Sequence, residues 1–231
     1  MIEDTDMEYA VTIERFGPEG ARPVFTGRRD IPTSKVMTKS GRHVICEHNV
    51  ERDFVQVIDF DPRVRNIRHQ PHRLTFVYAG TRIRYTPDFA LETVDGEFIV
   101  EVKTRAEFLA KASVRERMAQ VREVYRSVQI PFFIAFDDVI RVEPRFSNIK
   151  ELRRYRTLTV ASEDRSRVLA HLNECGSDSF QNCAALIRGG QHGPSAIRSL
   201  AAHHHIEMDL GLPISGKTLC LPASKVREAD R

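Results

Sequence analysis

The chain has 231 residues, 41% of them hydrophobic and 29% charged, and a formal net charge of +3 at pH 7. That is the make-up of a folded globular protein of one large domain or two ordinary ones. No stretch approaches the ~18 apolar residues of a membrane helix, and the acidic start Met1-Ile2-Glu3-Asp4-Thr5-Asp6 is unlike a signal peptide, so a cytoplasmic location is expected. Cys46, Cys175, Cys183 and Cys220 show no CxxC spacing, which speaks for buried thiols and against a disulfide framework or zinc ribbon.

Residues 1–40 are rich in Gly, Pro and short polar residues and read as an N-terminal arm with one short strand near Tyr9 to Ile13. From Glu47 to Phe60 the period changes, because Val50, Phe54, Val57 and Ile58 fall at helical spacing, and Asp61-Pro62 ends the helix. Glu51 lies beside that apolar stripe, with its carboxylate aimed toward whatever the helix packs on. Between Pro62 and Pro87 there is no acidic residue, yet there are six arginines (Arg63, Arg65, Arg68, Arg73, Arg82, Arg84) and two histidines. Such a block is the footprint of a phosphate backbone or, alternatively, a solvated basic edge. A strand is expected over Leu74 to Tyr78, followed by a turn at Ala79-Gly80.

A hairpin follows. Asp88 to Val94 and Glu97 to Lys103 are alternating runs joined by Asp95-Gly96, a strong two-residue turn signal. With Val94 opposite Glu97, Asp88 falls opposite Lys103 and Ala90 opposite Glu101. One face then carries Asp88, Glu101 and Lys103, and the other carries Phe89, Leu91, Phe98, Val100 and Val102 as core. Two carboxylates and a lysine on one face suit metal-assisted phosphodiester hydrolysis, since Mg²⁺ takes one or two carboxylates and keeps several waters. Pro87-Asp88 and, thirteen residues on, Glu101-Val102-Lys103 form the PD-(D/E)xK pattern. The same residues also allow a plain surface hairpin with a cross-strand Asp88 to Lys103 ion pair, worth ~0.2–1 kcal/mol.

Ala106 to Gln129 reads as one long helix and Ile130 to Phe136 as a strand whose phenylalanines suit a central place in a mixed sheet. Helix, three antiparallel strands, helix and strand is the αβββαβ order of a restriction-endonuclease-like α/β (α+β) core, assigned to residues 41–157. Residues 158–231 differ in texture. A helix opens near Ser162 and closes at Gly176, others are expected over Asp178 to Ile187 and Pro194 to His203, and strands over Ile206 to Leu210 and Lys217 to Leu221. Three helices and a hairpin is winged-helix order, with Gln191, His192, Ser195, Arg198 and Ser199 as candidate DNA contacts; a small helical domain that binds protein is the alternative. Gly211 to Thr218 matches GxxxxGK[ST], but Leu219-Cys220-Leu221-Pro222 reads as strand where a nucleotide loop needs a helix, so no nucleotide is expected.

Cys46-Glu47-His48-Asn49-Val50-Glu51, Asp59-Phe60-Asp61-Pro62, Gln70-Pro71, Tyr85-Thr86-Pro87-Asp88-Phe89, Glu101-Val102-Lys103 and Ser147 to Leu152 occur in an order that resembles TnsA, the endonuclease subunit of Tn-seven-like heteromeric transposases. The resemblance runs from about Arg42 to Tyr155, and it departs from the family where His48 replaces a serine. It implies Mg²⁺-dependent cleavage of the 5′ strands at transposon ends, Mn²⁺ being able to substitute. It also implies a TnsB-like DDE transposase that cuts and joins the 3′ ends, a TnsC-like AAA+ regulator engaged by the C-terminal part, and work at the bacterial nucleoid. By position, Glu51, Asp88 and Glu101 would be metal ligands and Lys103 the catalytic lysine. A stand-alone restriction or repair nuclease of this fold and an inert winged-helix adaptor are the competing readings.

Overall fold

The computed structural model describes residues 11–17, 20 and 34–223. Part of the strand expected near Tyr9 to Ile13 therefore lies outside the described residues. The chain divides into two compact units, the first reaching to Asp59 and resuming over Arg63–Ile140, the second made of Phe60–Pro62 and the chain from Arg141 onward.

The first unit runs β1 (Thr12–Arg15), β2 (Ser34–Met37), β3 (His43–Cys46), α1 (Asn49–Ile58), β4 (Val64–His69), β5 (His72–Tyr78), β6 (Thr81–Tyr85), β7 (Phe89–Thr93), β8 (Gly96–Lys103), α2 (Arg105–Ala110), α3 (Ala112–Ser127), β9 (Phe132–Phe136) and α4 (Asp137–Ile140). Its central sheet has the order β4-β7-β8-β9, with β9 parallel to β8 and the other pairs antiparallel. A parallel neighbour needs a long crossover, which α2 and α3 supply. β1 pairs with β5 and β5 with β6 in a second sheet, and β2 pairs with β3. Two strands thus come from the segment read as an arm.

The helix–three strands–helix–strand order holds, but with a different first strand. The strand expected over Leu74 to Tyr78 belongs to the second sheet, and β4 takes its place beside β7. A bulge between Val64 and Asn66 breaks the period-two alternation of β4, which is why its sequence does not read as a strand. β9 lies at an edge of the four-stranded sheet rather than at its centre, and Phe133 is 53% exposed there. The long helix expected over residues 106–129 is two helices. Lys111 takes an extended conformation between them, and Arg115 satisfies the loose carbonyls of Phe108 and Leu109 at the end of α2.

The hairpin register also differs. Thr93 pairs with Gly96 and Phe89 with Val100, so the turn corner is Val94-Asp95 and the whole ladder is shifted by two residues from the expected one. The Thr93 hydroxyl accepts the Asp95 N–H (3.1 Å) and donates to the Gly96 carbonyl (2.9 Å), and Gly96 takes φ +120°, which favours glycine. A two-residue shift leaves every side chain on its expected face.

Both faces of the hairpin are covered. On one, Phe54 of α1 packs on Phe89, ring centroids 5.4 Å apart. On the other, Ala90 and Ile99 sit in a core with Leu74, Phe76 and Tyr85 of the second sheet and Met118, Val121, Val124 and Tyr125 of α3. Burial of each of the large apolar side chains is worth ~1.5–3 kcal/mol. The expected division into a core face and a chemical face is therefore corrected: the polar group is confined to the end of the hairpin beyond Ala90 and Ile99.

The second unit comprises α5 (Arg145–Arg153), α6 (Ser162–Cys175), β10 (Asp178–Ser179), α7 (Phe180–Ala185), α8 (Gly193–Ala202), β11 (Ile206–Met208) and β12 (Leu219–Pro222). Its sheet has the order β10-β12-β11, all antiparallel. The helix expected from Asp178 starts only at Phe180 because Asp178 and Ser179 pair with β12. Gly211 to Thr218 is the connection between β11 and β12, tied down by the Asn148 amide, which donates to the carbonyls of Leu210 (2.9 Å) and Leu212 (2.7 Å).

Candidate active site

The site grows out of the last residues of the β7–β8 ladder. Pro87 brings no N–H, and the backbone pairing stops at Phe89–Val100. The Asp88 side chain continues it by accepting the Val102 N–H on Oδ2 (2.8 Å), while its carbonyl accepts the Gln70 N–H (2.7 Å). In the observed register the residue facing Asp88 is Glu101, not Lys103. Glu101 is 4% exposed, and its two oxygens have separate partners: Lys103 Nζ lies 2.5 Å from Oε1, and the Tyr85 hydroxyl donates to Oε2 at 2.5 Å.

The electrostatics are one-sided. Burial and the Glu101 carboxylate hold the pKa of Asp88 well above the ordinary carboxylate range, against the pull of Lys103 and the Val102 N–H. Burial alone would lower the pKa of Lys103, but Glu101 and Asp88 outweigh it and raise it. Glu51 is the third residue of α1, and its Oε2 turns back to accept the N–H of Glu47, just ahead of the helix (2.7 Å). Its pKa is raised, chiefly by burial, and its charge in turn raises that of Asp88. Three carboxylates therefore share a neighbourhood with one lysine.

Among the described residues no three His, Cys, Asp or Glu side chains are grouped to hold a metal ion. The facing pair Asp88 and Glu101 does fit Mg²⁺ or Mn²⁺: both are hard oxygen donors, two carboxylates suffice for Mg²⁺, and the raised Asp88 pKa is relieved by added positive charge.

Of the arginines singled out, two stand at the site. Arg73 and Arg84 help to line a cavity of about 510 Å³ together with Glu47, Gln70, Tyr85 and Asp88. Arg73 reaches Glu14 (3.0 Å) and lies over the Phe16 ring. Arg82 is exposed on β6, and Arg65 is exposed at the β4 bulge. Arg63 and Arg68 are not brought to the site. Arg63 pairs with Asp95 at the hairpin turn, ~20 Å along the strand from Asp88, and Arg68 pairs with Glu92 (3.0 Å) and Glu97. In the second unit, Arg198 donates to Glu151 Oε1 (2.5 Å) and lies over Phe180, and the buried Ser199 hydroxyl donates to the Leu158 carbonyl (2.6 Å). Gln191 and His192 precede α8 and are exposed.

Tyr85 and Gln70 are the residues whose part at the site the sequence reading missed. Tyr85 stands three residues before Asp88 in a run that the family resemblance contains, which is the signal that marks it. Gln70 takes φ +42° and donates from Nε2 to Glu47 Oε1 (3.1 Å), strain of the kind found at functional sites.

A mixed α/β sheet that sets a PD-(D/E)xK pair at the end of an antiparallel hairpin agrees with the nuclease class. Residues 61–137 match the family model described as TnsA-like endonuclease N terminal, so this part of the chain is similar to TnsA-like nucleases. The matched range contains Asp88, Glu101, Lys103 and Tyr85 and leaves Glu51 outside. No curated protein matches the chain. Among the described residues no helix is long and apolar enough to cross a membrane.

Proposed function

We propose that the protein is a Mg²⁺-dependent DNA endonuclease of a cut-and-paste transposon, hydrolysing the 5′ strand at transposon ends beside a DDE transposase that handles the 3′ ends. The observation that carries this reading is the facing pair Asp88 and Glu101 with Lys103 against Glu101, in a TnsA-like domain and beside a cavity with two arginines. Asp88 and Glu101 would hold the metal, with Glu51 contributing charge from the start of α1. When bound, Mg²⁺ supplies positive charge at the scissile phosphate and lowers the pKa of an attacking water. Lys103 orients that water and offsets charge building on phosphorus. Arg73 and Arg84 hold the phosphates on either side, a positioning role that carries no sequence information.

The α6–β10–α7–α8–β11–β12 order with β12 between β10 and β11 supports a winged-helix reading of the second unit. Because Arg198 and Ser199 are engaged inside that unit, we assign it to docking a protein partner, an AAA+ regulator or the transposase, in preference to base readout by α8. The test is cleavage of a labelled transposon-end duplex with Mg²⁺ or Mn²⁺ by the protein alone, with its transposase, and as Lys103→Ala. Metal-dependent 5′-strand cuts that need the transposase and vanish in the variant support the proposal. Cutting of unrelated DNA by the protein alone points to a free-standing nuclease, and no cutting under any condition points to an adaptor.

A further inference from the structure

The hydrogen bond from Tyr85 to Glu101 crosses between sheets. Tyr85 ends β6 in the second sheet, whereas Glu101 lies on β8 in the central one, and both are buried. The phenol cannot easily turn away. Its ring meets Tyr125 and Phe132 edge-on, each with centroids 6.4 Å apart. Tyr125 is itself stacked on Phe132 (4.9 Å, 12°) and bonded through its hydroxyl to His72 Nε2 (2.7 Å). The donor that fixes one oxygen of Glu101 is thus held by two aromatic rings, one of them anchored in turn by His72.

A carboxylate oxygen keeps a lone pair beside a single partner, so pinning Oε2 fixes the direction in which Oε1, already beside Lys103, can face a metal. We infer that Tyr85 is a positioning residue for metal binding, which orients Glu101 by pinning its second oxygen from the neighbouring sheet. This rests on the proposed metal reading of Asp88 and Glu101. Partners of this kind commonly change metal affinity by ~10–100-fold when removed. Phenylalanine keeps the ring and removes only the hydroxyl, so packing and hydrogen bonding are separable.

The test is Mn²⁺ titration of the full chain by calorimetry, comparing wild type, Tyr85→Phe, Glu101→Gln, the double variant and Tyr125→Phe, with circular dichroism to verify folding. Tyr125→Phe removes a buried hydroxyl from the same aromatic group without touching Glu101. The expected result is ~10-fold or greater weakening in Tyr85→Phe, none in Tyr125→Phe, and a double variant no weaker than Glu101→Gln. Cleavage by Tyr85→Phe should recover toward wild type at high Mn²⁺. Wild-type affinity in Tyr85→Phe, equal losses in the two tyrosine variants, or additivity with Glu101→Gln each overturns the assignment of Tyr85. Equal affinity in wild type and Glu101→Gln overturns instead the metal reading on which it rests.

Discussion

The two ends of the β7–β8 hairpin carry similar residues on the same face of the same sheet and do different things with them. At the turn end, Arg15, Arg63 and Arg68 meet Glu92, Asp95 and Glu97, three cations against three carboxylates, in ion pairs that are exposed at Arg63 and Asp95 and half-buried at Arg68 and Glu97. At the other end, Asp88, Glu101 and Glu51 share one lysine and are largely withdrawn from water. Solvated, balanced pairs contribute little, ~0–1 kcal/mol each. A buried excess of negative charge destabilises the metal-free fold and is retained where chemistry needs it. The acids alone do not distinguish the two ends; the balance of charge and the burial do.

The largest effect that would break this contrast is on catalysis. Lys103→Ala should lower cleavage by ~10²–10³-fold or more with DNA affinity little changed, whereas Arg68→Ala should leave the rate within ~2-fold. Comparable losses in single-turnover assays would erase the distinction.

The next effect concerns His72, which is buried against Tyr125 and whose pKa burial pushes down to about 4, with the fields of Arg15 and Arg68 acting in the same direction. The unfolded chain takes up this proton near pH 6.5 and the folded protein only near pH 4, so the stability that neutral His72 allows is complete above 6.5 and is lost as pH falls between those values. The loss amounts to about 3 kcal/mol by pH 4. Denaturant unfolding of His72→Gln should lack that part of the pH dependence, and profiles that run parallel to wild type would show that the histidine does not carry it.

A smaller effect sharpens the idea of stored repulsion. Because the folded-state pKa of Asp88 is raised, ionised Asp88 opposes folding at neutral pH, and the opposition fades as pH falls through that raised pKa. Asp88→Asn should therefore raise the metal-free Tm at pH 8 by ~2–4 °C, what about 1 kcal/mol is worth in a chain of this size. The gain should vanish near pH 4, and a Tm lowered at pH 8 would contradict the charge imbalance.

The smallest effect distinguishes the arginines. Arg84→Ala should weaken DNA binding by a few-fold, uniformly across sequences, and reduce the salt slope by about 1. Arg63→Ala, beside Asp95, should change neither quantity.

Much of this was legible in the chain because side chains on strands alternate. The faces of Asp88, Glu101 and Lys103 follow from parity and survive a two-residue error in register, whereas the residue facing Asp88 does not, because the turn geometry depends on the Thr93 hydroxyl and the φ of Gly96. β4 was hidden by its bulge, and the break at Lys111 by an apolar period that continues across it. Tyr85 was hidden for another reason: its partner lies in a different sheet, and no local pattern reports a contact made by tertiary packing.

The bond from Tyr85 to Glu101 also gives the protein an optical property. The chain has five tyrosines and no tryptophan, so its ultraviolet emission is dominated by phenols. A phenol bonded to a carboxylate is a weak emitter, because the excited ring can release its proton to that neighbour. Tyr85 is therefore a dim lamp set against Glu101, the carboxylate proposed above as a metal ligand, and any event that draws charge away from Glu101 should brighten it without a label.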